Sequence, residues 1–256
     1  MKEFLLFTIH APLASWGEIA VGENRGSWSV PSKSALLGLL GAALGIDRAD
    51  AESQRALTTD YRVAVRIDSS GSLLTDYHTV QTVSASLVKK HAPHTRARLM
   101  AIDDRDTLLS QRGYRQNAVY TVAIWAAHDA RWSLDQIQRA LREPAYVLFA
   151  GRKCNPMALP MLPELVSGET LAGAFVKRPP LPVPIERALR RYLLRRDAQW
   201  GRFVAHDACE GFSSGLASTN RRELRRDIPT DRGKAWRFEN RLVEFGELPV
   251  ASGVTE

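Results

Sequence analysis

An α+β fold in the ferredoxin-like order strand, helix, strand, strand, helix, strand is what this sequence predicts. Three observations carry it. Two segments space their apolar residues as helices do, four or five short ones alternate or run apolar as strands do, and turn-forming residues stand at the junctions. At 256 residues, 45% of them hydrophobic, the chain is long enough to bury a substantial core.

The elements follow in order. FLLFTI, residues 4–9, reads as a buried strand ended by the turn-rich APLASWGE. PSKSALLGLLGAALGI, residues 31–46, reads as a helix, with Pro31 in its first turn, serines beside it and glycines at spacings of three and four near one face. Those glycines let a helix lie close on a sheet at some cost in propensity. YRVAVRID alternates over Val63, Val65 and Ile67, and LLTDYHTV, residues 73–80, is the next strand. Residues 84–115, with KKHAPHTRAR at their centre, are polar and too long for an ordinary loop. AVYTVAIWA, residues 118–126, is again a strand. A helix over 134–141 follows, with Ser133 as its cap, and YVLFAG, residues 146–151, closes the pattern as the last strand.

That unit occupies residues 1–163. RPPLPVP then marks a stiff linker, placed at 164–184, and residues 185–256 form a smaller arginine-rich region. In it, IERALRRYLLRRDAQW sets Ile185, Leu189, Tyr192 and Leu193 on one helical face with arginines around the rest. The βαββαβ order is also the architecture of RRM-type RNA binders.

Charge narrows the function classes. Thirty-five Lys and Arg stand against 28 Asp and Glu, a net +7. Between Arg187 and Arg241 there are 14 basic and 7 acidic residues, so the whole surplus sits there. An excess so localised points to a face that meets phosphates, of nucleic acid or of anionic lipid. The membrane option fails on length. Residues 4–9 are too short for a signal-peptide core, and residues 35–46 fall short of a bilayer span and carry three glycines. A soluble, cytoplasmic protein is expected. Cys154 and Cys209 form no CxxC pair and argue against a disulfide framework or thiolate zinc site. His91 and His94 either share a metal or sit solvated in a loop, the latter being favoured, so no metal and no cofactor is expected.

Several short stretches could carry chemistry. At PSKS, free backbone N–H groups, two hydroxyls and the Lys33 ammonium suit a phosphate, or else Ser32 and Ser34 cap a helix and Lys33 is solvated. Gly151, Arg152 and Lys153 follow the last strand, where glycine lets a backbone near a phosphate and the two cations neutralise it. SWG, residues 15–17, and Trp28 put indoles in loops, either to stack on unpaired bases or to close the core's edge. Metal-free RNA cleavage needs a base, an acid and a cation, roles that His10, His78, Tyr77, Tyr114 and Lys33 could fill. Strand alternation, however, sends Tyr77 and His78 to opposite faces, which disfavours them as a catalytic pair.

APLASWGE, the loop before Arg25, PSKSALLGLLGAALGI, DYHTVQ, SQRGYRQNAVYTVAIW and LFAGRKCNP occur in an order and spacing that resembles the CasD or "Cas five" family of the type I-E CRISPR complex Cascade, within the RAMP superfamily. The resemblance covers about residues 1–163 and fades beyond. It implies a ferredoxin-like core with a long thumb at about 84–115 that packs on a backbone subunit. It also implies a core that holds the 5' handle of a mature CRISPR RNA without cutting it. Carried over by motif, the RNA-binding residues would be Ser15, Trp16, Arg25, Ser32, Lys33, Ser34, Tyr77, His78, Gln111, Arg112, Tyr114, Gly151, Arg152 and Lys153, with no catalytic residue. Implied partners are CRISPR RNA, the backbone and large Cascade subunits and, for the basic C-terminal region, target DNA. The alternative is a metal-independent endoribonuclease that processes the precursor RNA, as a sister branch of the family does with a Tyr, Lys and His set. A free-standing RRM-like regulator is disfavoured because the RNP1 pattern is missing.

Overall fold

The computed structural model describes residues 1–18, 20, 22–127, 129–192, 202–207, 213–231 and 237–249. In chain order the elements are β1 (Lys2–His10), β2 (Leu13–Ala14), β3 (Asn24–Arg25), α1 (Lys33–Ala43), α2 (Ala51–Asp60), β4 (Tyr61–Ser69), β5 (Ser72–Thr82), α3 (Ala85–His91) and α4 (Arg96–Met100). Then come β6 (Asp106–Gln116), β7 (Val119–Ala126), α5 (Leu134–Arg142), β8 (Glu164–Gly168), α6 (Leu171–Lys177), α7 (Val183–Tyr192), β9 (Phe203–Asp207), β10 (Ala217–Asp231) and β11 (Arg237–Glu247).

One sheet runs in the order β10-β11-β9-β4-β7-β1-β8. Its β4-β7-β1-β8 part is antiparallel throughout and has the strand order of a ferredoxin-like fold. The alternation read in the sequence decides which face each side chain takes. Leu5, Phe7 and Ile9 of β1, Val63 and Val65 of β4, and Tyr120, Val122 and Ile124 of β7 pack with Leu36, Leu37 and Leu40 of α1 and Ile137 and Leu141 of α5. The opposite face, with Phe4, Leu6, Ala64, Ala123 and Trp125, is covered by Leu171, Ala174 and Phe175 of α6. Burial on both faces explains why β1 and β7 carry so little polarity along most of their length. At α5, Ser133 and Gln136 form a reciprocal capping box, as its sequence position suggests.

Four assignments are corrected. YVLFAG is not a strand: its start donates from Ala145 and Tyr146 to the carbonyls of Ala43 and Ala42, closing the end of α1. The edge beside β1 is taken by β8, so residues 164–177 contribute a strand and a helix to the core and are not linker. LLTDYHTV does form a strand, β5, but one that lies outside the main sheet. It pairs along its length with β6, from Ser72 opposite Gln116 to Thr82 opposite Asp106, in a second sheet that also holds β2 and β3. The polar insert of 84–115 is therefore α3, α4 and most of β6, the outer part of a long hairpin arm. Its large apolar residues Leu73, Tyr77 and Leu108 are exposed. α1 starts at Lys33, leaving Pro31 outside the first turn. Leu193 and Cys209, and Arg195, Arg196, Arg232 and Lys234 of the basic surplus, lie outside the described residues.

The arginine-rich region extends the main sheet: β9 pairs with β4, and β11 joins β9 to β10. Register shifts interrupt the β10–β11 ladder at three points. Buried charges fasten this extension to α1. Lys33 Nζ lies 2.9 Å from Asp207, and Arg241 bonds both Asp207 and Asp227. The Asp227 carboxylate also accepts the Lys33 backbone N–H at 2.8 Å. All four side chains are less than a tenth exposed, so each depends on the others for solvation. Burial pushes the Asp207 carboxyl up, but Lys33, Arg241 and the Val63 N–H outweigh it and hold it below the usual carboxylate range. A depressed native value contributes stability above that range and loses it as pH falls through it. Asp207→Asn should therefore cost about 3 to 5 kcal/mol in urea unfolding at neutral pH. The variant should also lose less of its stability than the parent on acidification below about pH 4.

Candidate nucleic-acid interface

The loop between β2 and β3 is a strap held at both ends. Ser15 donates its N–H to Ala150 O at 3.0 Å, Trp16 N–H bonds Ser27 Oγ at 2.9 Å, and Trp28 N–H bonds Trp16 O at 2.9 Å. The Trp16 indole is turned into the core. It is 1% exposed, donates to Tyr120 Oη at 3.2 Å and meets that ring edge-on at 5.8 Å. Tyr120 Oη donates in turn to Ser29 O at 2.6 Å, and burial raises the phenol's pKa well above the ordinary value. Trp16 therefore fixes the strap and is not free to stack on a base, which corrects the expectation for it.

Across from the strap stands the turn after α5. Gly151 has φ +88°, and a Cβ there would collide with the Ser15 carbonyl oxygen, so glycine is required for the close approach. Arg152 then reaches across: its guanidinium donates to Gly113 O at 3.3 Å and Arg25 O at 3.4 Å and lies 4.6 Å from the centre of the Tyr114 ring. Tyr114 is buried beneath it. Lys153 next to it is exposed, as is Arg25 on β3. At the start of α1, Ser32 is the cap, accepting the Ala35 N–H, and lies 3.1 Å from the Ser34 hydroxyl. Lys33 points inward to Asp207 and cannot reach a phosphate while that pair holds, a second correction.

These pieces surround one groove of about 840 Å³. Ser15, Arg25, Ser32, Ser34, Gly151 and Arg152 line it, brought together from four separate stretches of the chain. Arg226 and Phe238, from the β10–β11 hairpin, complete the wall and were not singled out in the sequence; the basic run RRELRRD signals Arg226, and nothing in the sequence signals Phe238. Val147 and Phe149 add apolar surface, and an exposed Glu18 stands at the rim. The Asp227 carboxylate at the groove is neutralised by Arg241.

The remaining expected residues lie on the arm. Tyr77 and Gln111 are direct partners across β5 and β6, and Arg112 follows beside Arg25 in a parallel pairing. Tyr77 is 61% exposed, whereas His78 is half-buried with an Nδ1 that has no hydrogen-bond partner. The two side chains leave the strand on opposite faces, as alternation requires. His10 is buried near Ala118 O, and burial lowers its pKa against that bond. Among the described residues no three His, Cys, Asp or Glu side chains come together as metal ligands, and no helix is long and apolar enough to cross a membrane.

A ferredoxin-like core with a hairpin arm and a basic groove beside a glycine-containing turn defines a RAMP-type protein. The family model described as CRISPR-associated protein (Cas_Cas5) matches residues 4–250, and the chain belongs to that family. The match runs through the arginine-rich part, past residue 163 where the motif resemblance stops. A protein of Escherichia coli (strain K12) named CRISPR system Cascade subunit CasD is 30% identical over 169 residues, covering 63% of this chain and 70% of that protein. A solved chain described as "CRISPR RNA-guided surveillance complex" shares the fold with TM-score 0.59 and 23% identity, over 96% of this chain and 91% of that one. Another, "Crystal structure of Cas protein", gives TM-score 0.53 and 25% identity over 96% and 95%.

Gly151→Ala should lower stability by about 1 to 3 kcal/mol through backbone strain. Thermal unfolding beside Lys153→Ala, which should stay within about 0.5 kcal/mol of the parent, checks this.

Proposed function

We propose that this chain is a non-catalytic RNA-binding subunit of a CRISPR RNA-guided surveillance complex of the Cascade kind, and that its groove holds the 5' handle of the mature guide RNA. One observation carries the reading: residues from four distant stretches, chosen for phosphate and base chemistry, converge on a single groove walled by Arg25, Arg152 and Arg226. The names carried by the Escherichia coli relative and by the solved assembly support it.

In this reading phosphates meet Arg25, Lys153 and the exposed edge of Arg152, and the serine hydroxyls at α1 supply further donors. Unstacked bases rest on Phe149, Phe238 and Val147. Arg152 has a double task, since it both bridges β3 to β6 and presents positive charge. Trp16 and Lys33 hold the walls in place. The arm, with Leu73, Tyr77 and Leu108 exposed, docks on a backbone subunit and caps the filament. The large subunit and target DNA approach the C-terminal side, and the assembly works in the cytoplasm.

Cleavage is disfavoured by the separation of Tyr77 from His78, and by a buried His10 already engaged with a backbone carbonyl. Incubated with labelled repeat RNA in EDTA, the purified protein should leave the RNA intact; a site-specific cut that disappears in His78→Ala would reverse this assignment.

Tagged protein should co-purify with a guide-length RNA and further subunits, and recovery of the chain alone from cells expressing the whole system would contradict the reading. Arg25→Ala combined with Lys153→Ala should reduce the slope of log affinity against log salt by about one or two for a handle RNA. An unchanged slope removes those two cations from the site.

A further inference from the structure

β5 borders the second sheet. It pairs with β6 from Ser72 to Thr82 without a register shift, and among the described residues no strand pairs with its other side. The hydrogen bonds of β6 fix which residues of β5 face that side. Gln111 donates its N–H to Glu23 O at 3.0 Å, and Gly113 O accepts from Ser15 Oγ at 3.4 Å and from Arg152 at 3.3 Å, so both residues turn their backbone groups away from β5. In an antiparallel pair the residue opposite such a one turns its own groups away as well. Tyr77, opposite Gln111, and Thr75, opposite Gly113, therefore direct N–H and C=O to the open edge, and alternation adds Leu73, Thr79 and Gln81.

Open edges of this length are normally blunted by proline, lysine or a bulge. Residues 72–82, SLLTDYHTVQT, contain no proline, lysine or arginine and carry one formal charge, at Asp76. Leu73 and Tyr77 are 58% and 61% exposed, Leu74 and Val80 are open to solvent too, and exposed Leu108 stands beside Val80 across the β5–β6 pair.

The sequence of this edge is complementary to itself. Laid antiparallel on a second copy about Tyr77, it sets Tyr77 against Tyr77, Asp76 against His78, Thr75 against Thr79, Leu74 against Val80 and Leu73 against Gln81. Ring meets ring, carboxylate meets imidazole, hydroxyl meets hydroxyl and apolar meets apolar, the pairings that stabilise neighbouring strands. The backbone agrees with this register. Leu73–Gln81, Thr75–Thr79 and Tyr77–Tyr77 have outward groups on both copies and exchange two hydrogen bonds each, while Asp76–His78 and Leu74–Val80 fall at the closer positions, where side chains touch most. The neighbouring registers that keep outward groups opposite each other are worse: one opposes Asp76 to Asp76, the other sets Asp76 against Val80. We propose that the free edge of β5 binds the same edge of a second copy of this chain, joining two arms in a two-fold antiparallel dimer centred on Tyr77. The inference concerns the chain on its own and takes nothing from the handle assignment, since no residue of the groove takes part.

One strand pair makes a small interface, so the dimer belongs to the micromolar range. Sedimentation velocity of the purified, RNA-free full chain from about 1 to about 200 µM should show a monomer passing into a dimer. Thr79→Pro removes an outward N–H and spares the β5–β6 ladder; it should weaken the dimer about ten-fold or more with the melting midpoint unchanged. In a Cys154→Ser/Cys209→Ser background, Tyr77→Cys should give a disulfide-linked dimer on mild oxidation, because the facing Cα atoms of a hydrogen-bonded pair stand about 5.5 Å apart. Leu73→Cys should not, because Leu73 faces Gln81 and lies more than about 25 Å from its own counterpart. A chain that stays monomeric over the whole range overturns the proposal and leaves the edge to a strand of a different protein. A dimer untouched by Thr79→Pro, or trapped at Leu73 as readily as at Tyr77, overturns it equally.

Discussion

The group of four buried charges, Lys33, Asp207, Asp227 and Arg241, is what the rest of the molecule depends on. An isolated charge at such depth would be untenable, and four of alternating sign are acceptable only while every member is in place. The set joins the first residue of α1 to β9, β10 and β11, elements some 170 to 210 residues away along the chain. The start of α1 would otherwise present loose N–H groups to any passing anion. Asp227 occupies that position, and the helix dipole favours it there. The groove at Arg152 borders this group at Asp227, so its shape follows from the same ionic contact.

The loops around the groove owe their order to short-range detail layered on that anchor. Trp16 wedges under the strap, Ser27 and Trp28 tie its far end, and Gly151 lets the opposite turn come close enough to touch it. Arg152 then spans the gap to β3 and β6. Loops carry function well when a rigid scaffold fixes them, and here the scaffold is the strand pair β1–β7 together with the Tyr120 hydroxyl, which receives the indole and in turn holds Ser29.

Segments whose hydrophobic pattern is strong and local were legible in the sequence: β1, β4, β7, α1 and α5 fall close to where periodicity puts them. The fourth core strand was not. YVLFAG has the residues of a strand, yet its backbone is engaged by the end of α1, and the less conspicuous ELVSG takes the open edge of β1. The residues that meet in the groove were legible as a set only through the family motifs, since a basic turn and serines at a helix start are common on their own. Their orientation was not. Whether Lys33 faces solvent depends on Asp207, 174 positions away, and whether Trp16 is buried depends on Tyr120, 104 away. Arg226 and Phe238 escaped notice because a run of arginines gives no indication of which one folds back over the first helix.

The irregular pairing of β10 bears on how the sheet ends. This fifteen-residue strand is the outermost of seven, and among the described residues no strand pairs with its other side. A long, flat rim of that kind invites another polypeptide to add on and continue indefinitely. Its breaks in register, a proline at position 229 and closely set arginines and glutamates give the rim a kinked, highly hydrated outline that a foreign strand fits poorly. The chain thereby keeps one flank of its sheet from being lengthened strand by strand by other polypeptides.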